Sequence, residues 1–338
     1  MELFARLDVE QEAAYGIAGT CAEIEAAGFD GIWTGENKHE SFLPLAVAAE
    51  TTSTVRLGTA VAIAFSRSPM VVAQLAWDLQ RRSRGRFVLG LGTQVQAHIE
   101  RRFAAEWSPP AARLRDYVGA LRAVWSSFAT GERLRFESES YRLSLLTENF
   151  DPGPHAWPQI EVFTSGVGAA MARSAGAYAD GFHVHPFHSL TYLDEVLLPA
   201  IRAGEADTGR PAGTVSTATS VFVVRGRDDS ERDAARDRIR NRIAFYGSTP
   251  SYRTVLAAHG WEDLGSQLHE LARARRWDEM AALVSDDQVA AFSVEAEDGR
   301  LGDQLRQRYD GRVDQVALFE YFTPHHAGPE LGLLARSS

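Results

Sequence analysis

Residues 55–64 read VRLGTAVAIA, a nearly unbroken run of apolar and small side chains. A half-exposed strand would alternate apolar and polar residues, so this run is typical of a strand buried on both faces of a parallel sheet. Short runs of the same kind alternate with amphipathic stretches from one end of the chain to the other, which indicates a βαβα succession. The candidate strands are residues 3–7, 31–36, 55–64, 86–91, 159–163, 181–185, 216–224 and 315–321.

Eight strand candidates in this order predict an α/β fold of the closed (β/α)8 TIM barrel type, with an open doubly wound sheet as the alternative. Two segments depart from the alternation. Residues 131–158 have the pattern of a hairpin and are an expected insertion before the fifth strand. Residues 248–310 are an expected helical insertion between the seventh and eighth strands. Because no linker or repeat interrupts the pattern, we expect residues 1–338 to form one barrel domain.

The composition restricts the partners. The formal net charge of −10 argues against binding to nucleic acid or to an anionic membrane, which requires a basic surface. Cys21 is the only cysteine, so no disulfide can form within the chain. The sequence has neither a signal-peptide pattern nor a long apolar run. We therefore expect a cytoplasmic protein that acts on a small-molecule substrate, and a homodimer is compatible with the sequence.

Barrels of this type form their sites at the carboxyl ends of the strands. The clearest signal there is residues 165–169, which read SGVGA and lie between the fifth predicted strand and a helical run. Glycines let the backbone approach a ligand closely, and free N–H groups at a helix start favour an anion such as phosphate. A tight strand-to-helix turn without a ligand is the alternative interpretation.

The histidines suggest a separate hypothesis. His183 and His185 alternate on a predicted strand and therefore share a face, and such a pair can bind zinc for hydrolysis. Because the spacing identifies no further ligand, we predict no metal and favour a pocket-lining role. His39, after the second strand, is a candidate proton donor, since histidine titrates near neutrality, or else a solvated loop residue. The P-loop, GxSxG, HExxH and complete GxGxxG motifs do not occur.

Several segments are informative in combination. They are residues 28–33 (GFDGIW), 56–61 (RLGTAV), 85–93 (GRFVLGLGT), 92–103 (GTQVQAHIERRF), 181–187 (GFHVHPF) and 243–250 (IAFYGSTP). The first three resemble the luciferase-like monooxygenase superfamily, whose fold is a bacterial luciferase-like barrel. The last three are most similar to its deazaflavin (coenzyme F420) oxidoreductase branch. The resemblance implies an oxidoreductase whose cofactor ring lies over the strand ends.

The resemblance also implies where the cofactor is bound. It places a non-proline cis peptide at Ala60–Val61, where it forms a bulge behind the ring. The implied ring contacts are Glu36, Ile63, Thr93 and Gln94, and the implied phosphate or ring contacts are Ser165, Gly166, Val167, Gly168 and Ala169. The residues expected to line the substrate pocket are Phe65, His98, His183 and His185.

Two departures from these relatives bear on the reaction. Asn37 stands where relatives often have a histidine, with His39 two residues further on, so Asn37 and His39 are the candidate catalytic residues. Val95 stands where the family's sugar-phosphate dehydrogenases have a glutamate, so their acid–base pair is absent. Hydride transfer from reduced coenzyme F420 to a C=C or C=N bond is therefore favoured. An FMN-dependent monooxygenase is the alternative, and a metal-dependent hydrolase using His183 and His185 is the alternative of another class.

Overall fold

The computed structural model describes residues 1–9, 16–297, 299–328 and 332–333. Eight parallel strands form its centre. They are Glu2–Arg6 (β1), Gly31–Thr34 (β2), Arg56–Thr59 (β3), Phe87–Gly92 (β4), Glu161–Gly166 (β5), Gly181–Val184 (β6), Ser216–Val224 (β7) and Gln315–Leu318 (β8). Each strand pairs with the next, and β8 pairs with β1 through Leu3↔Val316, so the sheet closes. The predicted (β/α)8 barrel is confirmed, and the open-sheet alternative is wrong.

The predicted strand at residues 55–64 is interrupted. After β3 the chain passes through a cis peptide at Ala60–Val61, as predicted, and pairing resumes at Ala62–Ile63. Leu57 pairs with Phe87 and Ala62 pairs with Leu91, so this strand uses five steps where β4 uses four. The extra residue makes a β-bulge, a feature that bends a strand and redirects its side chains.

Helices cover the outside of the barrel. They are Gly16–Ala27 (α1), Phe42–Thr51 (α2), Pro69–Arg82 (α3), Gln96–Arg102 (α4), Pro110–Thr130 (α5), Ala169–Tyr178 (α6), Leu190–Tyr192 (α7), Leu198–Asp207 (α8), Asp229–Gly247 (α9), Arg253–Ala257 (α10), Glu262–Arg273 (α11), Trp277–Met280 (α12), Asp286–Phe292 (α13) and Leu301–Tyr309 (α14). The Ser68 side chain accepts a hydrogen bond from the Val71 N–H and caps α3. None of the described helices has the length and apolar character needed to cross a membrane.

Both predicted insertions are present. Before β5, Phe136–Glu137 and Arg142–Leu143 pair antiparallel as a short hairpin. Between β7 and β8 lie the helices α9 to α14 and one further strand, Ser293–Glu295, which pairs parallel with the end of β7. The sequence analysis missed this strand, because three residues are too few for a recognisable alternation.

The core has two layers. The larger layer lies between the barrel and its helices, as expected for a parallel barrel covered on its outer face. The smaller layer fills the barrel interior with Phe4, Trp33, Val88, Phe163, Ala218 and Ala317. Side chains alternate along a strand, so the next inward residue after Phe4 on β1 is Arg6, one step closer to the carboxyl end. The barrel mouth is thus built directly above an aromatic floor.

Candidate active site

The bulge on β3 and the end of β5 meet at the same rim of the barrel. Gly92 ends β4 and lies between them. A Cβ atom on Gly92 would lie 2.6 Å from Val61 Cγ2 and 3.0 Å from Ser165 Oγ. The Val61 side chain and the Ser165 hydroxyl therefore lie on opposite sides of one glycine, close enough for a single ligand to touch both.

The segment after β5 forms an open amide cradle. Gly166 is packed against Met171, because a Cβ here would lie 2.4 Å from Met171 Cβ, whereas a Cβ on Gly168 would meet nothing within 4 Å. Gly168 is the N-cap of α6 and provides no side-chain cap. The first N–H groups of a helix have no partner within it, and the helix dipole favours an anion there. The predicted phosphate segment therefore has suitable geometry.

A tyrosine holds this cradle from behind. The Tyr192 hydroxyl donates to the Val167 carbonyl at 2.9 Å and lies 3.0 Å from Thr254 Oγ1. Thr254 belongs to α10 in the insertion before β8, so the insertion supports the loop after β5. The sequence offered no signal for this contact, because the residues are distant along the chain.

Glu36 was predicted to contact the ring, and this stays a prediction; the structure shows which protein groups its carboxylate binds. Its carboxylate accepts hydrogen bonds from the Ile63 N–H at 2.8 Å and from Arg67 at 2.8 and 3.0 Å, and its side chain is 6% exposed. Burial alone would lower the pKa of the Arg67 guanidinium, but Glu36 and Glu40 raise it. The Glu36–Arg67 pair positions Ile63 and therefore the bulge.

The other two predicted ring contacts lie in the loop after β4. Gln94 adopts a left-handed backbone conformation with φ of 59°, and its side-chain oxygen accepts a hydrogen bond from the Val95 N–H. The Thr93 hydroxyl donates to the Gln94 carbonyl at 3.3 Å. Both side chains thus bond within their own loop, and their contact with a ring stays a prediction.

The candidate catalytic residues lie on an exposed loop after β2. Asn37 and His39 are both exposed, and the Asn37 carbonyl accepts a hydrogen bond from the Arg102 guanidinium of α4. This contact joins the loops that follow β2 and β4. The roles of Asn37 and His39 in proton transfer stay predictions.

Two of the predicted pocket residues have contrasting positions. Phe65 is 3% exposed, its ring centroid lies 6.1 Å from that of Trp107, and the Arg113 guanidinium lies 4.4 Å from it. Its ring is covered largely by these side chains, and its place in the pocket stays a prediction. His98 is exposed on α4, and its place in a pocket stays a prediction.

His183 lies inside the barrel. Its ring centroid is 5.1 Å from that of Trp33 and 5.3 Å from that of Phe163, and its Nε2 is 2.9 Å from the position of a Cβ on Gly90. Burial lowers its pKa to about 3, so the ring is neutral at pH 7. His183 is thus part of the floor beneath the mouth.

His185 lies closer to the mouth in a separate environment. Its Nδ1 accepts a hydrogen bond from the Phe187 N–H at 3.1 Å, and its Nε2 lies 3.4 Å from the Tyr252 hydroxyl. Burial and the neighbouring His188 lower its pKa to about 3. Because Nδ1 is an acceptor, the neutral ring carries its proton on Nε2. In the part of the chain that the structure describes, no group of three or more potential ligands could hold a metal ion.

Sequence reasoning missed Arg6. It follows Phe4 as the next inward position of β1, so the alternation along this strand was the available signal. Its guanidinium donates to the Phe319 carbonyl and lies 4.8 Å from the Phe319 ring centroid and 4.9 Å from that of Tyr321. Burial lowers the pKa of this guanidinium, while Tyr321 and other neighbours act against that shift.

A closed (β/α)8 barrel with a bulged third strand and an amide cradle after the fifth places its candidate binding groups at the carboxyl rim, where barrel enzymes have their active sites. Comparison with known families agrees. Residues 3–315 match the model of the luciferase-like monooxygenase family, and the chain belongs to that family. The predicted membership of this oxidoreductase family is confirmed, and the cofactor stays a prediction.

Three similar proteins each match most of this chain, at different levels of sequence identity. An uncharacterized protein of Mycobacterium tuberculosis is 46% identical over 88% of each chain. The 5,10-methylenetetrahydromethanopterin reductase of Archaeoglobus fulgidus is 26% identical over 86% of this chain and 85% of that protein. The solved coenzyme F420-dependent tetrahydromethanopterin reductase of Methanopyrus kandleri superposes with a TM-score of 0.76 at 20% identity, covering 98% of this chain and 97% of that one.

Proposed function

We propose that this protein is a coenzyme F420-dependent reductase that adds hydride to a C=C or C=N bond of a small molecule. The observation that carries this proposal is the position of the bulge and the amide cradle on one rim, with Gly92 between them. A planar ring can rest against Val61, and a phosphate attached to it can reach the N–H groups of α6.

Two kinds of support favour the deazaflavin. The Archaeoglobus protein, a reductase, resembles this chain over most of both lengths. The residues present also lack the acid–base pair of the family's dehydrogenases, since Val95 and Asn37 stand at the two positions. An enzyme that reduces an acceptor requires a positioned hydride donor and only a modest proton source.

When bound, the reduced cofactor supplies two electrons and one hydrogen as hydride to one atom of the acceptor double bond. The other atom then takes a proton, and the chain must place a donor beside it. His185 presents its Nε2–H next to Tyr252 and can orient an acceptor, but its pKa of about 3 makes it a poor acid at neutral pH. We assign proton delivery to His39 or to water held at the mouth.

Side-by-side titration of the purified protein with FMN and with coenzyme F420, followed by fluorescence, tests the proposal. We expect saturable binding of coenzyme F420 and at least about tenfold weaker binding of FMN, a difference of about 1.4 kcal/mol. The reduced deazaflavin should then be consumed without oxygen when a suitable acceptor is present. Preferential FMN binding with oxygen-dependent turnover would replace the proposal by the monooxygenase alternative, which the family description also allows.

A further inference from the structure

Two arginines share one aromatic ring at the side of the mouth formed by β1 and β8. The Arg6 guanidinium lies 4.8 Å from the Phe319 ring centroid, and the Arg242 guanidinium of α9 lies 5.4 Å from the same centroid. Tyr321 completes the group, with its ring centroid 4.9 Å from Arg6. We call Arg6, Arg242, Phe319 and Tyr321 the cationic corner.

The two arginines of the cationic corner form no ion pair with any of the residues that the structure describes. Arg6 donates one hydrogen bond, to the Phe319 carbonyl, and forms no ion pair there. Arg242 forms no ion pair there either, while Asp8 is the last and weakest of the charges acting on Arg6. A guanidinium has five N–H donors, so most of those on Arg6 remain available. Two like charges around one ring are unfavourable unless an anion joins them.

The Arg6 guanidinium also reaches the middle of the mouth. Its Nη2 lies 4.0 Å from the position of a Cβ on Gly35, and that position is 3.4 Å from the Ala60 carbonyl oxygen. Ala60 begins the cis peptide of the bulge. An anion on Arg6 would therefore lie beside the cofactor ring that we place against this bulge.

The phosphate cradle cannot neutralise this corner. In the closed ring, β1 pairs with β8 and β2, while β5 pairs with β4 and β6, so β1 and β5 are on opposite sides of the barrel. A phosphate at the start of α6 would thus face Arg6 across the mouth. A second anionic group would be needed to form an ion pair with these arginines from within the mouth.

The wall next to the cationic corner is aromatic. The Tyr246 ring centroid lies 4.8 Å from that of His185 and 5.6 Å from that of Tyr252. Tyr246 also acts on Arg6, because it raises the pKa of the guanidinium. Flat aromatic side chains pack well against planar groups, by stacking or by edge contacts.

We propose that Arg6 and Arg242 bind a carboxylate of the acceptor substrate, so that the enzyme reduces a planar, unsaturated acid. The inference rests on the proposed function for the reaction, but the anion site stands on its own geometry. A guanidinium binds a carboxylate through two parallel N–H···O bonds, which fixes the plane of the acid. The double bond of a conjugated acid would then lie over the cofactor ring.

Isothermal titration with benzoate, and with benzamide as its uncharged match, tests the site. We expect the unaltered protein to bind benzoate. Arg6→Gln should weaken this binding about tenfold, which corresponds to the loss of one charge-assisted hydrogen bond. Arg242→Gln, an exposed position that the fold tolerates, should weaken it about threefold. The control is Arg173→Gln, whose side chain is 58% exposed and forms an ion pair with Asp207, and this variant should bind benzoate like the unaltered protein.

Three results would overturn the inference. They are equal affinity for benzoate and benzamide, unchanged benzoate affinity in both Arg6→Gln and Arg242→Gln, and no benzoate binding at millimolar concentration. A fourth result would show that the anion bound by Arg6 belongs to the cofactor and not to the substrate. If saturating coenzyme F420 excludes benzoate and Arg6→Gln weakens the cofactor instead, the site belongs to the cofactor's anionic tail.

The failure of the proposed function would look different. In that case the unaltered protein would bind benzoate in an Arg6-dependent way but would not bind coenzyme F420. The two titrations are therefore run on the same preparations. Benzoate binding alone supports the anion site, and benzoate binding together with unchanged cofactor affinity in Arg6→Gln supports its assignment to the substrate.

Discussion

The two sides of the barrel mouth are built from different material. The glycine side, made of Val61, Gly92 and residues 165–169, presents backbone amides and small side chains to a ligand. The arginine side, made of the cationic corner with His185 and Tyr246, presents charged and aromatic side chains. A backbone surface suits a ligand that is constant across relatives, whereas a side-chain surface can change with each substrate.

This contrast teaches where specificity is located. The glycine side can hold a ring and a phosphate without any particular side chain, because its donors are N–H groups of the main chain. On the arginine side, substitution of one residue changes both charge and shape. We therefore expect mutations on the two sides to affect separate ligands, and each prediction below is designed to separate them or to show that they cannot be separated.

The largest expected effect is that of Gly92→Val. Its Cβ would lie 2.6 Å from Val61 Cγ2 and 3.0 Å from Ser165 Oγ, so the new side chain must fill the space between bulge and cradle. This side chain would occupy space that we assign to the cofactor ring, so cofactor affinity should fall about 100-fold, a change of about 2.7 kcal/mol. Fluorescence titration measures it. Benzoate affinity on the arginine side is the internal control and should change less than about twofold; a parallel loss of both ligands would refute the separation.

A smaller effect is expected from Ala169→Pro, which removes one N–H group from the cradle. Proline is favoured at the first position of a helix, and the extended ψ of 160° at Gly168 suits a residue before proline. The fold should therefore persist while one charge-assisted hydrogen bond to the phosphate is lost. Affinity for coenzyme F420 should fall about tenfold.

The matched control is Asp229→Pro at the first position of α9. There the preceding residue, Asp228, has a ψ of 174°, and the Asp229 side chain is 98% exposed. This variant should keep full cofactor affinity. A deazaflavin without its phosphate should bind Ala169→Pro as well as it binds the unaltered protein. If it binds more weakly, the phosphate is not at α6.

The buried histidine of the floor makes stability depend on pH. The pKa of His183 is about 3 in the folded protein, so between pH 6.5 and about 3 the unfolded chain binds the proton and the folded chain does not. The free energy of unfolding therefore falls as pH decreases through this window, by about 1.4 kcal/mol per pH unit for one histidine. Urea titrations at several pH values measure how much the free energy of unfolding changes per pH unit, and His183→Leu should reduce this change by that amount. If the variant and the unaltered protein show the same pH dependence, His183 takes up its proton in the folded protein as readily as in the unfolded chain.

The barrel itself could be predicted from the sequence because its strands are short, buried runs with local periodicity. The bulge was available only through resemblance, since VRLGTAVAIA reads as one strand and the structure divides it at Ala60–Val61. Glu36 was assigned to the ring through the resemblance, whereas its pairing with Arg67, 31 residues away, leaves no local pattern from which it could be predicted. The alternation along β1 could have placed Arg6 inward, but its aromatic neighbours Phe319 and Tyr321 come from the other end of the chain and could not be read from the local sequence.

The smallest expected effect tests whether the amide cradle depends on a side chain that supports it from behind. Tyr192→Phe removes the hydroxyl that donates to the Val167 carbonyl at 2.9 Å, with no change in ring packing. The loss of this hydrogen bond should lower the free energy of unfolding by about 1 kcal/mol and weaken cofactor binding a few-fold. Thr254→Val removes only the second partner of Tyr192 and is the matched control, since Val167 stays held. If Thr254→Val weakens the cofactor as much as Tyr192→Phe does, the insertion before β8 positions the cradle through this pair.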